Sequence, residues 1–214
     1  IASFLSRQGQ KVDHLFDATL DRPLFESPAR FARSAEDLAV ALSDSDAFAV
    51  GIGGTHGRLR TAIADRLFRG FDLHPLDVIS PRAVIDEEAR HGRGVQIWPG
   101  GILNPGVAIG DWCIINTGAC LDHDCRIGNG VHIMGRAALA GDVLVGDGAT
   151  IGTNATVLPG LRIGADAILG AGAVLTRDLP AGEVWVGNPA RKLRMADQSA
   201  PDLSLLDQAS RRLR

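Results

Sequence analysis

The sequence predicts a small parallel α/β domain followed by a three-sided prism of stacked parallel β coils. Three observations lead there. An aliphatic residue recurs every six positions through the second half, glycines recur every eighteen on the same ruler, and the first 80 residues alternate helix-like and strand-like segments. The expected boundaries are 1–80 for the α/β domain, 81–194 for the prism, and 195–214 for a C-terminal tail with helical spacing.

Within the first part, Ile1–Gln8 carries helical spacing and stops at Gly9, and Val12–Asp17 reads as a short strand. Ser34-Ala-Glu-Asp is a helix-start pattern, with Ser34 as N-cap and Asp37 three residues on, leading into Leu38–Leu42. The apolar run Phe48–Ile52 suits a buried parallel strand. Gly53-Gly54-Thr55-His56-Gly57 then forms a loop at its carboxyl end, where ligands of parallel α/β sheets commonly bind, although a plain turn fits equally. Arg58–Arg69 reads as a helix with Leu59, Ile63, Leu67 and Phe68 on one side, and Leu76–Ile79 as the domain's last strand.

The prism rests on its ruler. Steps of six from Ile97 meet Leu103, Ile109, Ile115, Leu121, Ile127, Ile133, Leu139, Val145, Ile151, Val157, Ile163, Leu169 and Leu175 without a miss. A helix repeats near 3.6 and a strand near 2, so a period of six fits a short strand plus a two-residue corner. Gly110, Gly128, Gly146 and Gly164 are eighteen apart, which makes three strands per coil. Aliphatic residues at each step point inward, beside small residues such as Cys113, Ala119, Cys125 and Ala137. The corner Gly, Asn and Asp residues suit the positive φ that corners often need. In the tail, Leu203, Leu206 and Leu213 share a helical face suited to capping the prism or packing on a neighbour.

Composition narrows the function. With 45 % hydrophobic and 22 % charged residues in 214, a disordered chain is excluded. The net charge of −3 and the scatter of the 22 basic residues argue against a nucleic-acid binder. No apolar run reaches the roughly 18 residues of a membrane span, and no signal peptide opens the chain. Three cysteines without metal-type spacing suit a reducing compartment, so the reading is a soluble cytoplasmic protein.

His123 carries the chemistry most plainly. It stands two residues after inward Leu121, at an outward corner, where a neutral imidazole suits a general base. Asp124 beside it can orient the ring and stabilise the imidazolium. Gly141 stands eighteen residues later, one coil above, where its N–H can approach a developing oxyanion. His132 lies outward of Ile133, and Thr153 and Ala171 are again eighteen apart, on one edge. Cys113 and Cys125 fill inward small positions and Cys120 has no adjacent base, so an acyl-cysteine route is not expected. Two prism histidines with His91 do not make a three-histidine zinc site of the γ-carbonic anhydrase type, so no metal is expected.

Ile109-Gly-Asp-Trp-Cys-Ile and Val145-Gly-Asp-Gly-Ala-Thr resemble the hexapeptide repeats of left-handed parallel β-helix acyltransferases. Nearly the whole chain, to about Arg194, is similar to the NeuD/PglD-like sugar O-/N-acetyltransferases, which join a Rossmann-like domain to such a helix. The most specific stretches are Asn116-Thr-Gly-Ala-Cys-Leu-Asp-His-Asp-Cys-Arg-Ile-Gly, Leu139-Ala-Gly and Thr156-Val-Leu-Pro-Gly. The resemblance implies acetyl-CoA as co-substrate, a homotrimer, and direct attack of the acceptor on the thioester. By the same resemblance His123, Asp124 and Gly141 are catalytic, His132, Thr153 and Ala171 bind the cofactor, and Asp17 and Gly53 bind the substrate. The implied acceptor is a nucleotide-linked 4-amino sugar of surface-glycan biosynthesis, and the alternative is a sialic-acid-type sugar acetylated on oxygen. The chain departs from the family at Ser80-Pro81, where His-Pro is common, and at its start, which stands past the family's first strand and Gly-rich loop. That second departure leaves open a non-catalytic scaffold that has lost its sugar pocket.

Overall fold

A computed structural model describes residues 1–197 and 199–213, so Gln198 and Arg214 of the expected tail lie outside the described residues. The chain divides into two compact units. One comprises residues 1–51, 62–75 and 202–214, the other 52–61 and 76–201.

In the first unit, α1 (Ala2–Arg7) precedes β1 (His14–Phe16), which pairs in parallel with β2 (Arg30–Ala32). The helix α2 (Ala35–Ser43) starts as its sequence predicts. The Ser34 side chain accepts from the Asp37 N–H, and Asp37 reciprocates to the Ser34 backbone. The strand expected over 48–52 is confined to β3 (Ala47–Phe48), half-buried and parallel to β4 (His74–Pro75). Between them runs α3 (Gly57–Phe71), whose first five residues belong to the second unit. Leu38, Ala39, Leu42, Leu67, Leu73, Leu206 and Ala209 make the buried core. The last two lie on α4 (Ser204–Arg212), so the tail helix finds its partner in α2 of this unit. Ion pairs of Arg66 with Asp207 and Arg212 with Glu36 sit on the exposed surface, where such pairs contribute little.

The second unit is the left-handed β-helix. Two-residue strands recur every six residues from Val78–Ile79 to Val174–Leu175, and each pairs in parallel with the strands eighteen residues away. Three flat faces result. The first contains Gln96–Ile97, Ile114–Ile115, His132–Ile133 and Thr150–Ile151; the second Cys120–Leu121 and Ala138–Leu139; the third Arg126–Ile127 and Leu144–Val145. An antiparallel hairpin of Glu183–Val186 and Arg191–Met195 extends the first face. Every aliphatic residue on the ruler from Ile97 to Leu175 is buried in one continuous core. Each such side chain gains about 1.5–3 kcal/mol on burial.

Two expectations are corrected. Val78–Ile79 is no strand of the α/β domain but the prism's first rung, paired with Gln96–Ile97. The ruler extends back through Ile85 and Ile79, but exposed, polar His91 interrupts its apolar signal. The eighteen-spaced glycines, too, are not the residues with positive φ. Those occur every six residues, from Gly94 to Gly172, and include Trp112, Asp124, Arg136, Asp142, Asn154 and Asp166. Gly110 and Gly146 answer to closeness instead. A Cβ on Gly110 would stand 2.5 Å from Asn129 Oδ1, and one on Gly146 2.5 Å from the Ala165 nitrogen.

Candidate active site

The corner between the second and third faces presents His123 and Asp124 to solvent, with side chains 60 % and 63 % exposed. Asp124 adopts φ 61°, a left-handed conformation that acidic residues tolerate better than bulky ones. Its N–H donates to the Pro105 carbonyl of the coil below, at 3.1 Å. The Asp142 N–H of the coil above donates to the His123 carbonyl at 2.9 Å. The corner is thus fixed by its neighbours at the backbone.

On this frame the imidazole Nδ1 donates to Asp124 Oδ2 at 2.9 Å. That contact sets the tautomer and leaves Nε2 with a free lone pair, as a general base requires. The hydrogen bond to Asp124, aided by the charges of Asp122 and Asp142, raises the imidazole's proton affinity above its ordinary value of 6.5. Asp122 accepts from the His123 N–H at 2.8 Å and from Asn104 Nδ2 at 3.3 Å, which stiffens the approach to the corner.

Gly141 is the seat of the ring. A Cβ there would collide with His123 Nε2 and lie 2.5 Å from Cε1, so any larger residue would displace the imidazole. Its φ is not positive, so closeness to the imidazole, and not corner geometry, is what demands glycine. Its N–H has no acceptor among the described residues, which leaves a donor beside the imidazole.

His132 occupies the strand position immediately before inward Ile133. It stands outward of the prism core but is only 5 % exposed, with Gly53 and Gly54 lying against it. Its Nδ1 donates to the Gly54 carbonyl at 3.0 Å, and Nε2 accepts from Asn116 Nδ2 at 3.4 Å. Burial lowers its proton affinity, so the ring is neutral and both nitrogens are engaged within the chain. Gly53 touches the same ring, with its would-be Cβ 3.6 Å from Cε1.

Thr153 and Ala171 are exposed on the edge between the first and second faces, one coil apart. His123 and Gly141 occupy a different edge of the same prism, so the two sets do not meet within one chain. Asp17 lies in the first unit, at the carboxyl end of β1. Its Oδ1 accepts from the Thr19 hydroxyl at 2.7 Å, the Thr19 N–H at 2.8 Å and the Leu20 N–H at 3.2 Å. Those bonds, the hydroxyl's first, hold its carboxyl below the usual range.

The cysteines are poor nucleophiles: burial pushes the Cys113 thiol up to about 12 and that of Cys125 up to about 11. Among the described residues, no three His, Cys, Asp or Glu side chains gather as a metal site. Among the same residues, no helix is long and apolar enough to cross a membrane.

Sequence reasoning missed Arg60. It reads as one more basic residue on α3, yet it is 1 % exposed. Its guanidinium donates to the carbonyls of Trp112 at 2.8 Å, Ile52 at 2.8 Å and Gly130 at 2.6 Å. It thereby pins the start of the 52–56 loop to two prism corners. Burial lowers its proton affinity to about 10, which leaves it charged at neutral pH.

The bacterial transferase hexapeptide (six repeats) family pattern matches residues 124–159 and 145–177. A histidine-to-asparagine variant of perosamine N-acetyltransferase from Caulobacter crescentus, solved with CoA and GDP-perosamine, is 37 % identical. It superposes with a TM-score of 0.80 over 90 % of each chain. The acetyltransferase domain of PglB from Neisseria gonorrhoeae is 26 % identical, with a TM-score of 0.78 over 90 % of this chain and 92 % of that one. WeeI from Acinetobacter baumannii is 30 % identical, with a TM-score of 0.72 over 83 % of this chain and 84 % of that one. No curated protein sequence matches. The chain belongs to the hexapeptide-repeat sugar acetyltransferases of the NeuD/PglD-like type, and it is an acyltransferase.

Proposed function

We propose that this protein transfers the acetyl group of acetyl-CoA to the amine of a nucleotide-linked 4-amino sugar. The observation that carries the reading is the exposed His123–Asp124 pair, with Nδ1 donating to the carboxylate and Nε2 left as the base. The likeness to an N-acetyltransferase solved with CoA and a nucleotide-linked amino sugar supports both substrates.

In this mechanism His123 Nε2 takes a proton from the acceptor amine as its nitrogen attacks the thioester carbonyl. Asp124 stabilises the imidazolium that forms. The Gly141 N–H faces the oxygen that gains charge, a contribution typically of about 10²–10³ in rate. Collapse of the tetrahedral intermediate breaks the C–S bond, the imidazolium returns its proton to sulfur, and CoA leaves as the thiol. Thr153 and Ala171 are assigned to the CoA chain and Asp17 and Gly53 to the nucleotide sugar, while His132, with both ring nitrogens engaged within the chain, serves the cofactor side by holding Gly54 in place. Because the Thr153 edge and the His123 edge are distinct, we assign a homotrimer, in which one copy's CoA edge meets its neighbour's base.

The test measures CoA release from acetyl-CoA with nucleotide-linked 4-amino sugars and with free sialic acid as acceptors. Turnover with the amino sugar, giving a hydroxylamine-stable amide, is expected. A hydroxylamine-labile ester on sialic acid would establish O-acetylation instead. CoA binding without turnover on any acceptor would remove the acceptor assignment, and no CoA binding would favour the scaffold.

A further inference from the structure

The coil beneath the His123 corner brings Gly106 against the Asp124 carboxylate. Gly106 stands eighteen residues before Asp124, and the Asp124 carboxylate rests over it. A Cβ on Gly106 would lie 2.6 Å from Asp124 Oδ1 and 3.4 Å from its Cγ. The carboxylate has little room to retreat. Its backbone N–H is tied to the Pro105 carbonyl, and its other oxygen holds His123 Nδ1. The pair is therefore framed by two glycines, Gly106 under the carboxylate and Gly141 against the ring.

We propose that Gly106 is a positioning residue: its missing side chain sets where the Asp124 carboxylate sits, and through it the orientation and proton affinity of the His123 imidazole. The catalytic meaning rests on the function proposed above, whereas the effect on the imidazole does not. The charged groups facing that imidazole are Asp124, Asp122 and Asp142. Of these, Gly106 bears on the first: the three atoms nearest its would-be Cβ all belong to Asp124.

A control lies one corner earlier. Gly100 has φ +72° against +73° for Gly106, so alanine meets the same backbone strain at both positions. At Gly100, however, the added Cβ finds its nearest atoms at 3.6 Å, an ordinary contact. Gly106→Ala and Gly100→Ala thus separate crowding of Asp124 from strain of the chain.

The primary readout is the NMR titration of the His123 imidazole, which needs no acetyl transfer. Gly106→Ala should move its pKa down towards 6.5, the ordinary value, and Gly100→Ala should leave it unmoved. In an active enzyme, Gly106→Ala should lower kcat about 10- to 100-fold with the KM for acetyl-CoA little changed, the size of effect that misplaced catalytic groups produce. In an Asp124→Ala background, Gly106→Ala should cost no further activity. An unmoved titration in Gly106→Ala, an equal shift in Gly100→Ala, or a loss that multiplies with Asp124→Ala would overturn the proposal. Should Gly106→Ala alone fail to fold, Asp124→Ala must restore folding, because it removes the crowded group. Failure of the double variant to fold would also overturn it. A wild-type protein without acetyl transfer but with these titrations would refute the function and keep the positioning role.

Discussion

At the scale of single residues, the chemistry rests on the hydrogen bond from His123 Nδ1 to Asp124 Oδ2 at 2.9 Å. Two steps past an inward leucine is an outward corner, and an imidazole beside a carboxylate there is an acid–base pair. The hydrogen bond adds a prediction about pH. Because Asp124 raises the proton affinity of His123, the base form appears only above a midpoint higher than 6.5, the ordinary value. kcat/KM should therefore rise with pH through that midpoint, and Asp124→Asn should move the acid limb to lower pH. A profile that Asp124→Asn leaves in place would remove the carboxylate from the account. Gly106 and Arg60 were less legible for different reasons. Gly106 needed only the eighteen-residue step taken down from Asp124, the same step that leads up from His123 to Gly141. Arg60 gave no signal, since its partners are backbone carbonyls brought together by the fold.

At the scale of elements, periodicity told more than propensity. Strands of two residues are too short to recognise singly, yet an inward residue every sixth position revealed the whole array. The N-terminal strands lacked such repetition. Phe48–Ile52 looked like a continuous buried strand, but pairing ends at Phe48 and the chain turns off to lay Gly53 and Gly54 on His132. The eighteen-spaced glycines were found for one reason and are needed for another. Gly146→Ala should therefore destabilise the prism by about 1–3 kcal/mol in urea unfolding, because its Cβ would press on the Ala165 backbone. Alanine is otherwise the less costly residue to order, so a stabilised variant would contradict the close-packing argument. The tail helix was visible from its leucines, but its partner α2 depended on a tertiary choice that spacing does not encode.

At the scale of the whole molecule, two consequences follow. Arg60 is a buried cation held by carbonyls and, among the described residues, by no carboxylate. Arg60→Met would leave those carbonyls unsatisfied and should cost about 3–5 kcal/mol in denaturant unfolding. A loss below about 1 kcal/mol would mean that water replaces the guanidinium. The separation of the His123 and Thr153 edges makes the proposed site incomplete in one chain. Sedimentation equilibrium should therefore return about three times the chain mass of 22.5 kDa. A fully active monomer would refute the shared-edge arrangement.

The proposed mechanism makes His123 the base of an acetyl transfer. Its most direct test is the rate of CoA release from acetyl-CoA with a nucleotide-linked 4-amino sugar, wild type beside His123→Ala. In His123→Ala, kcat should fall by about 10²–10⁴-fold with the KM for acetyl-CoA nearly unchanged. Unchanged turnover in His123→Ala would contradict it.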